Sequence, residues 1–303
     1  MGRAYISGPM RALRTGFRIA FDAFRSFNAT DGWAISSHIA LSALMSLFPF
    51  LIVVAALGGF LGSRDLADEA GRLLLEAWPN EVAGPIALDI HGVLTNARGD
   101  VLTAGVAFAI YFASSGVESL RIALNRAYGV GERRAWLLLR LESIVYVLIG
   151  AVALLAFAFL VVLAPLIWSV LLRYVPRLEP LGVIITFVRF GVAAVILIAA
   201  LIIVHLWLPA GRRRMRDIVP GILVTLLLWL VSGAVFGRYL AEFAFNYFTM
   251  YASLASAMIA LLFLYISASI FIYGGEVNAA VMRARRRKSD AAVAQAMTER
   301  RPA

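Results

Sequence analysis

Six apolar runs, roughly residues 34–62, 101–117, 143–172, 181–209, 218–237 and 252–274, leave this chain little choice of solvent. Each comes near or exceeds the ~18–20 apolar residues that cross a hydrocarbon core about 30 Å thick. Lipid offers a backbone no water to bond, so runs of this length predict helices that satisfy their own N–H and C=O groups. The basic residues between the runs fall on alternate sides. With the N-terminus assigned to the cytoplasm, that side receives Arg3, Arg11, Arg14, Arg18 and Arg25, then Arg121, Arg126, Arg133, Arg134 and Arg140. It also receives Arg212, Arg213, Arg214 and Arg216, and in the C-terminal tail Arg283, Arg285, Arg286, Arg287, Lys288, Arg300 and Arg301. These are 21 of the 28 Lys and Arg residues. The other side holds Arg64, Arg72, Arg98, Arg173 and Arg177, while Arg189 and Arg238 lie within helices. This is the positive-inside bias of six spans with both termini cytoplasmic. The expected fold is therefore all-α and integral to the membrane, with six transmembrane helices.

At 303 residues, 62% of them hydrophobic, the chain reads as one polytopic domain without room for a soluble domain of normal size. It divides into a cytoplasmic amphipathic segment at 1–33, a six-span membrane domain at 34–281 and a basic tail at 282–303, partly disordered beyond Lys288. The net charge of +10 flanks membrane segments instead of covering a soluble face. It points to anionic lipid headgroups at the cytoplasmic face and away from nucleic acid. The first apolar run is too long for a cleavable signal and is expected to remain as an anchor.

Enzymatic constellations are not visible. The chain has no cysteine, and His38, His91 and His205 are isolated in sequence, which argues against a metal centre. It has no phosphate-cradling loop and no His-Glu-x-x-His. A metal-dependent nuclease would want clustered acids, and Asp22, Asp31, Glu118, Glu132, Glu142, Asp217 and Glu276 are spread out. The reading is a non-enzyme without cofactor or metal.

Residues 9–28 predict an interfacial helix. Leu13, Phe17, Ala20, Phe21, Phe24 and Phe27 share one face, with Arg11, Arg14, Arg18 and Arg25 beside it. Such a face either lies in the headgroup boundary or packs on the transmembrane bundle. Between the first two spans, residues 63–99 predict two short extracytoplasmic helices; the second, 81–97, either rests on the surface or re-enters the membrane. The second span is expected to continue as helix to Tyr128, and the long third span to tilt or bend at Pro165.

Eight residues stand out as polar pathway or substrate contacts. Pro49 removes a helical hydrogen bond in the first span, with Ser42 and Ser46 able to line a kinked path or to bond their own helix. Arg189 lies about eight residues into the fourth span, where a charge costs at least ~2.5–3.5 kcal/mol at a helix centre. It either faces a cavity that holds an anionic group, snorkels, or pairs with a carboxylate such as Glu242. Arg121, Asn125, Glu276 and Asn278 are expected to join in one polar cluster at the cytoplasmic mouth, either as a site or as a network locking the second and sixth spans. Gly274 and Gly275 would let another backbone come close there. His205 reads as a hydrogen-bonded helix residue.

Three stretches carry a resemblance: ALSALMSLFPFLIVV from Ala40 to Val54, LNRAYGVGERRAW from Leu124 to Trp136, and Leu208 to Ala280. The last contains LPAGRRRMRDIVPGILVTLLLW and YASLASAMIALLFLYISASIFIYGGEVNAAV. Together they resemble the YihY/BrkB family of bacterial inner-membrane proteins. Ala252 stands where the family's YGSLA pattern has glycine, and Phe263 where its LLWLY pattern has tryptophan. The resemblance implies a six-span protein of the bacterial cytoplasmic (inner) membrane, in a family linked to serum resistance and envelope lipid handling. A ribonuclease BN label also travels with that family and is regarded as a misassignment. The expected function is a transporter or flippase-like protein for an envelope lipid or other amphiphile. The rival is a non-transporting scaffold, and the sequence leaves homo-oligomerisation open.

Overall fold

A computed structural model describes residues 8–60, 99–160, 164–251 and 255–299, and among these it contains helices and no strand. The helices are α1 (Gly8–Ala29), α2 (Gly32–Phe60), α3 (Gly99–Tyr128), α4 (Trp136–Ala158), α5 (Ala164–Tyr174), α6 (Gly182–Trp207), α7 (Met215–Tyr251) and α8 (Ala255–Glu299). A 3-10 turn, Pro176–Leu181, precedes α6. The expected extracytoplasmic helices at 63–99 lie outside the described residues, apart from the start of α3.

Among the described residues, five segments are long and apolar enough to cross a membrane: Thr103–Tyr128, Trp136–Phe157, Pro176–Trp207, Met215–Glu242 and Ala257–Ala291. At the place of the first expected span, α2 runs for 29 residues with Pro49 inside it. Large apolar side chains face outward, including Val152 at 68% exposure, Phe187 at 76% and Leu230 at 74%. Water would not tolerate so many; lipid solvates them. The chain is an all-α, multi-pass integral membrane protein.

One sequence boundary shifts. Of the third apolar run the structure describes α4 and α5; residues 161–163 between them lie outside the described residues, and the expected tilt or bend at Pro165 rests on them. The tail expected to be partly disordered beyond Lys288 instead continues α8 to Glu299. Ala291, Ala292, Ala294 and Ala296 carry the highest helix propensity, and α8 already supplies the costly nucleus.

The contacts sort into two compact units. One comprises Met1–Thr30, Arg121–Leu226 and Ile272–Ala303; the other comprises Asp31–Leu120 and Leu227–Phe271. In the first, Ala23 of α1 packs with Val277 and Ala280, flanked by Ile19, Val224 and Tyr273. The Tyr273 hydroxyl donates to the Ala20 carbonyl at 3.1 Å. Phe27, expected with the other phenylalanines, is buried. It lies about 80° around the helix from Phe17, towards the docked side. Phe17, Phe21 and Phe24 remain exposed, so α1 packs through one face and presents a phenylalanine stripe on another. The second unit contains a contact between Phe236 and Phe263, ring centroids 5.7 Å apart, so phenylalanine retains an aromatic contact at the position of the family's tryptophan.

Candidate functional site

The first unit brings two loops together around one buried side chain. Gly129, at φ 64°, ends α3 in the left-handed conformation that favours glycine. The chain then turns through Val130–Arg134 towards α4. From the preceding helical turn, Asn125 donates through Nδ2 to Glu132 Oε2 at 3.2 Å. Its Oδ1 accepts the Ala210 N–H at 2.7 Å. Ala210 belongs to the connection between α6 and α7, so Asn125 ties that connection to the 129–135 loop.

Arg134 closes the same assembly. Its guanidinium donates to Glu132 Oε2 at 2.8 Å, to Glu142 Oε2 at 2.7 Å and to the Leu208 carbonyl at 3.2 Å. Hydrogen bonds from Arg134 pull the Glu132 carboxyl down from 4.5 to about 2. Arg213 lies 3.9 Å over the Tyr128 ring and donates to the Ala210 carbonyl at 2.8 Å. Burial pulls the Arg213 guanidinium below its ordinary value.

Between these loops opens a cleft of about 790 Å³ whose lining includes Glu132, Arg133, Arg134, Trp207, Arg212 and Arg213. Arg134 and Arg213 are committed to the protein. Arg133 and Arg212 are exposed and their guanidinium groups have no partner among the described residues. Trp207, 63% exposed, adds an aromatic wall at the end of α6. The cleft thus offers two uncommitted cations beside an amphipathic ring, the chemistry of an anionic, partly apolar ligand.

Asn278 is linked to the cleft through Tyr128, the ring that Arg213 covers. Its Oδ1 accepts the Gly221 N–H at 2.6 Å, and its Nδ2 donates to the Tyr128 hydroxyl at 3.4 Å. At this crossing of α7 and α8, a Cβ on Gly221 would strike the Gly274 carbonyl oxygen, and one on Gly274 would strike Thr225 Oγ1. A Cβ on Gly275 would come within 2.6 Å of Leu124 Cδ2. The close approach anticipated for Gly274 and Gly275 is therefore real.

The expected single cluster of Arg121, Asn125, Glu276 and Asn278 is instead several separate attachments. Arg121 donates to the Leu139 carbonyl at 2.8 Å and to Ser143 Oγ, fastening α3 to α4. Glu276, fully buried, accepts from Thr30 Oγ1 at 3.0 Å and has Arg283 4.0 Å from its other oxygen, fastening α8 to the end of α1. Glu276 and Asn278 are two residues apart and so point to different sides of α8.

Arg189 is half-buried, its guanidinium 4.6 Å from the Phe190 ring, and its Nε is buried without a hydrogen bond among the described residues. The carboxylate suggested for it, Glu242, pairs with Arg238 at 3.0 Å. His205 is buried and donates through Nδ1 to the Leu201 carbonyl at 2.9 Å.

In the second unit, Ser46 donates to the Ala43 carbonyl of its own helix at 2.8 Å. Ser42 Oγ lies 3.4 Å from His38 Nδ1, and Ser119 Oγ lies 2.9 Å from the same nitrogen. His38, isolated in sequence, therefore joins α2 to α3. Tyr128, Glu132, Arg134, Glu142 and Gly221 were not singled out from sequence as site residues. The only local signal was the Gly-Glu-Arg-Arg run after a helix end. Among the described residues, no three His, Asp or Glu side chains converge as metal ligands.

The family described as virulence factor BrkB matches residues 23–298. A ribonuclease-like protein, YfkH of Bacillus subtilis strain 168, is 26% identical over 258 residues, covering 85% of this chain and 93% of that protein. A UPF0761 membrane protein of Rhodospirillum centenum is 27% identical over 256 residues, covering 82% of this chain and 54% of that longer protein. No solved structure matches the chain.

Proposed function

The chain belongs to the BrkB virulence factor family, and from that premise we propose that it moves an anionic amphiphile, such as an envelope lipid, across the bacterial inner membrane. The observation that carries this reading is the cleft, where Arg133 and Arg212 stand uncommitted beside Trp207. The same helix, α6, bears Arg189 eighteen residues before Trp207, a rise of about 27 Å. That is close to the hydrocarbon thickness of about 30 Å. One helix thus carries Arg189 near one leaflet and ends at the cleft, whose loops supply Arg133 and Arg212, near the other. In this reading the clustered arginines and both termini lie in the cytoplasm. The exposed Phe17, Phe21 and Phe24 of α1, beside Arg14, Arg18 and Arg25, rest in the anionic headgroup boundary.

The rival reading is a scaffold whose polar residues only lock helices, and the separate attachments made by Arg121 and Glu276 favour it for those two residues. The ribonuclease-like name of the Bacillus relative would ask for converging acids. Here Glu132, Glu142 and Asp217 each face an arginine instead. We read the chain as a non-enzyme.

Native absence of cysteine makes transfer and scaffold separable. Single cysteines at Gly131, at the cleft, where a Cβ meets nothing within 4 Å, and at Ala193 and Leu201, buried along α6, would be challenged with a membrane-impermeant maleimide. Transfer predicts reaction at all three positions as the path opens. Reaction confined to Gly131 would leave the scaffold.

A further inference from the structure

The second unit holds a different kind of opening. A groove of about 600 Å³ runs between α2, α7 and α8, its lining including Ser37, Leu41, Phe236, Tyr239, Leu262 and Tyr265. We propose that this groove binds one acyl chain of a membrane phospholipid. The inference rests on the membrane location of these helices and not on lipid transfer.

The lining decides the chemistry. Most of it is aliphatic or aromatic, and a cavity of that kind stays dry, because water needs two to four polar partners. Leu41, Met258 and Leu262 are partly exposed along it, at 52%, 44% and 39%. In a bilayer the apolar species at their surface is the lipid chain. From Met258 to Tyr265 the groove follows α8 for about 10 Å, enough to hold a chain segment. The volume also falls within the roughly 300–1,000 Å³ of small-molecule sites.

Polar groups mark where the chain would be held. The Tyr265 ring lies 6.2 Å from that of Trp33, and its hydroxyl has no partner among the described residues. An ester carbonyl would satisfy that donor. At another part of the rim, Tyr239 is one residue from Arg238, whose side chain is 83% exposed in its pair with Glu242.

The test uses the whole protein in vesicles of phosphatidylglycerol and phosphatidylethanolamine doped with a phospholipid carrying a mid-chain diazirine. After illumination, crosslinked peptides are read by mass spectrometry. The expected result is several-fold stronger labelling of residues 37–41 and 258–265 than of the outward-facing α4 positions Val152 and Leu154. Filling the groove with Leu41→Trp and Leu262→Trp is expected to remove that excess and leave α4 labelling unchanged, which also reports that the variant is folded. Should the filled variant misfold, Tyr265→Phe supplies the readout, with the excess at 258–265 falling and α4 labelling retained. Equal labelling of all three segments would overturn the proposal. So would disulfide-linked dimers of a single Leu41→Cys variant in the same vesicles, because the occupant would then be a second protomer.

Discussion

Asn125 Oδ1 accepts the Ala210 N–H at 2.7 Å, so a side chain from the end of α3 holds the connection between α6 and α7 in place. Its amide nitrogen holds Glu132 of the other cleft-lining loop. Asn125→Leu keeps the size and removes both bonds. The expected loss is about 1–3 kcal/mol, the cost of leaving a largely buried N–H unsatisfied. Thermal unfolding in detergent would read it. Asn125→Asp should be worse near neutral pH, because it sets a second carboxylate against Glu132.

The crossing of α7 and α8 predicts opposite outcomes for one substitution on one helix. Gly221→Ala drives a methyl into the Gly274 carbonyl and the Asn278 side chain and should destabilise by about 1–3 kcal/mol. Gly233→Ala meets nothing within 4 Å and should be neutral or stabilise by up to about 1 kcal/mol. Equal melting temperatures for the two variants would contradict this packing.

Glu132 makes a pH prediction with a definite sign. Its carboxyl is held at about 2 by the Arg134 hydrogen bonds, below its ordinary 4.5. A depressed acid contributes stability that is fully present above pH 4.5 and is lost as pH falls towards 2. Thermal stability measured between pH 6 and 2 should therefore fall more steeply in the wild type than in Glu132→Gln. The difference between the two curves should appear within that window.

The two uncommitted cleft arginines should select lipids by charge. Each basic group near an anionic surface is worth about 1 kcal/mol, or about fivefold in affinity. Arg133→Gln and Arg212→Gln should each lower retention of phosphatidylglycerol on the purified protein, and leave phosphatidylcholine unchanged, in native mass spectrometry. Added salt should shrink the difference.

The membrane class of this fold is legible in the sequence because apolar length and arginine placement act locally. The same locality placed the second span's continuation to Tyr128 and the tight approach at Gly274. What was not legible depends on pairs far apart in the chain. Asn125 stood out as a polar residue near a helix end, but its partner Ala210 is 85 residues away and contributes only a backbone N–H. The His38–Ser119 contact spans 81 residues, so His38 looked isolated. Spacing also misled where only position along the helix was weighed. Glu276 and Asn278 share one level of α8, yet their angular separation sends them to Thr30 and to Gly221.

The central claim is that α6 and the cleft pass an anionic headgroup across the bilayer. Its most direct measurement is transfer of a fluorescent phosphatidylglycerol in proteoliposomes, read by dithionite quenching of label that starts in the inner leaflet. Wild type should expose that label, whereas Arg189→Ala and the Arg133→Gln/Arg212→Gln double variant should slow its exposure. Equal transfer by wild type and these variants, or no transfer by wild type above protein-free vesicles, would contradict the account.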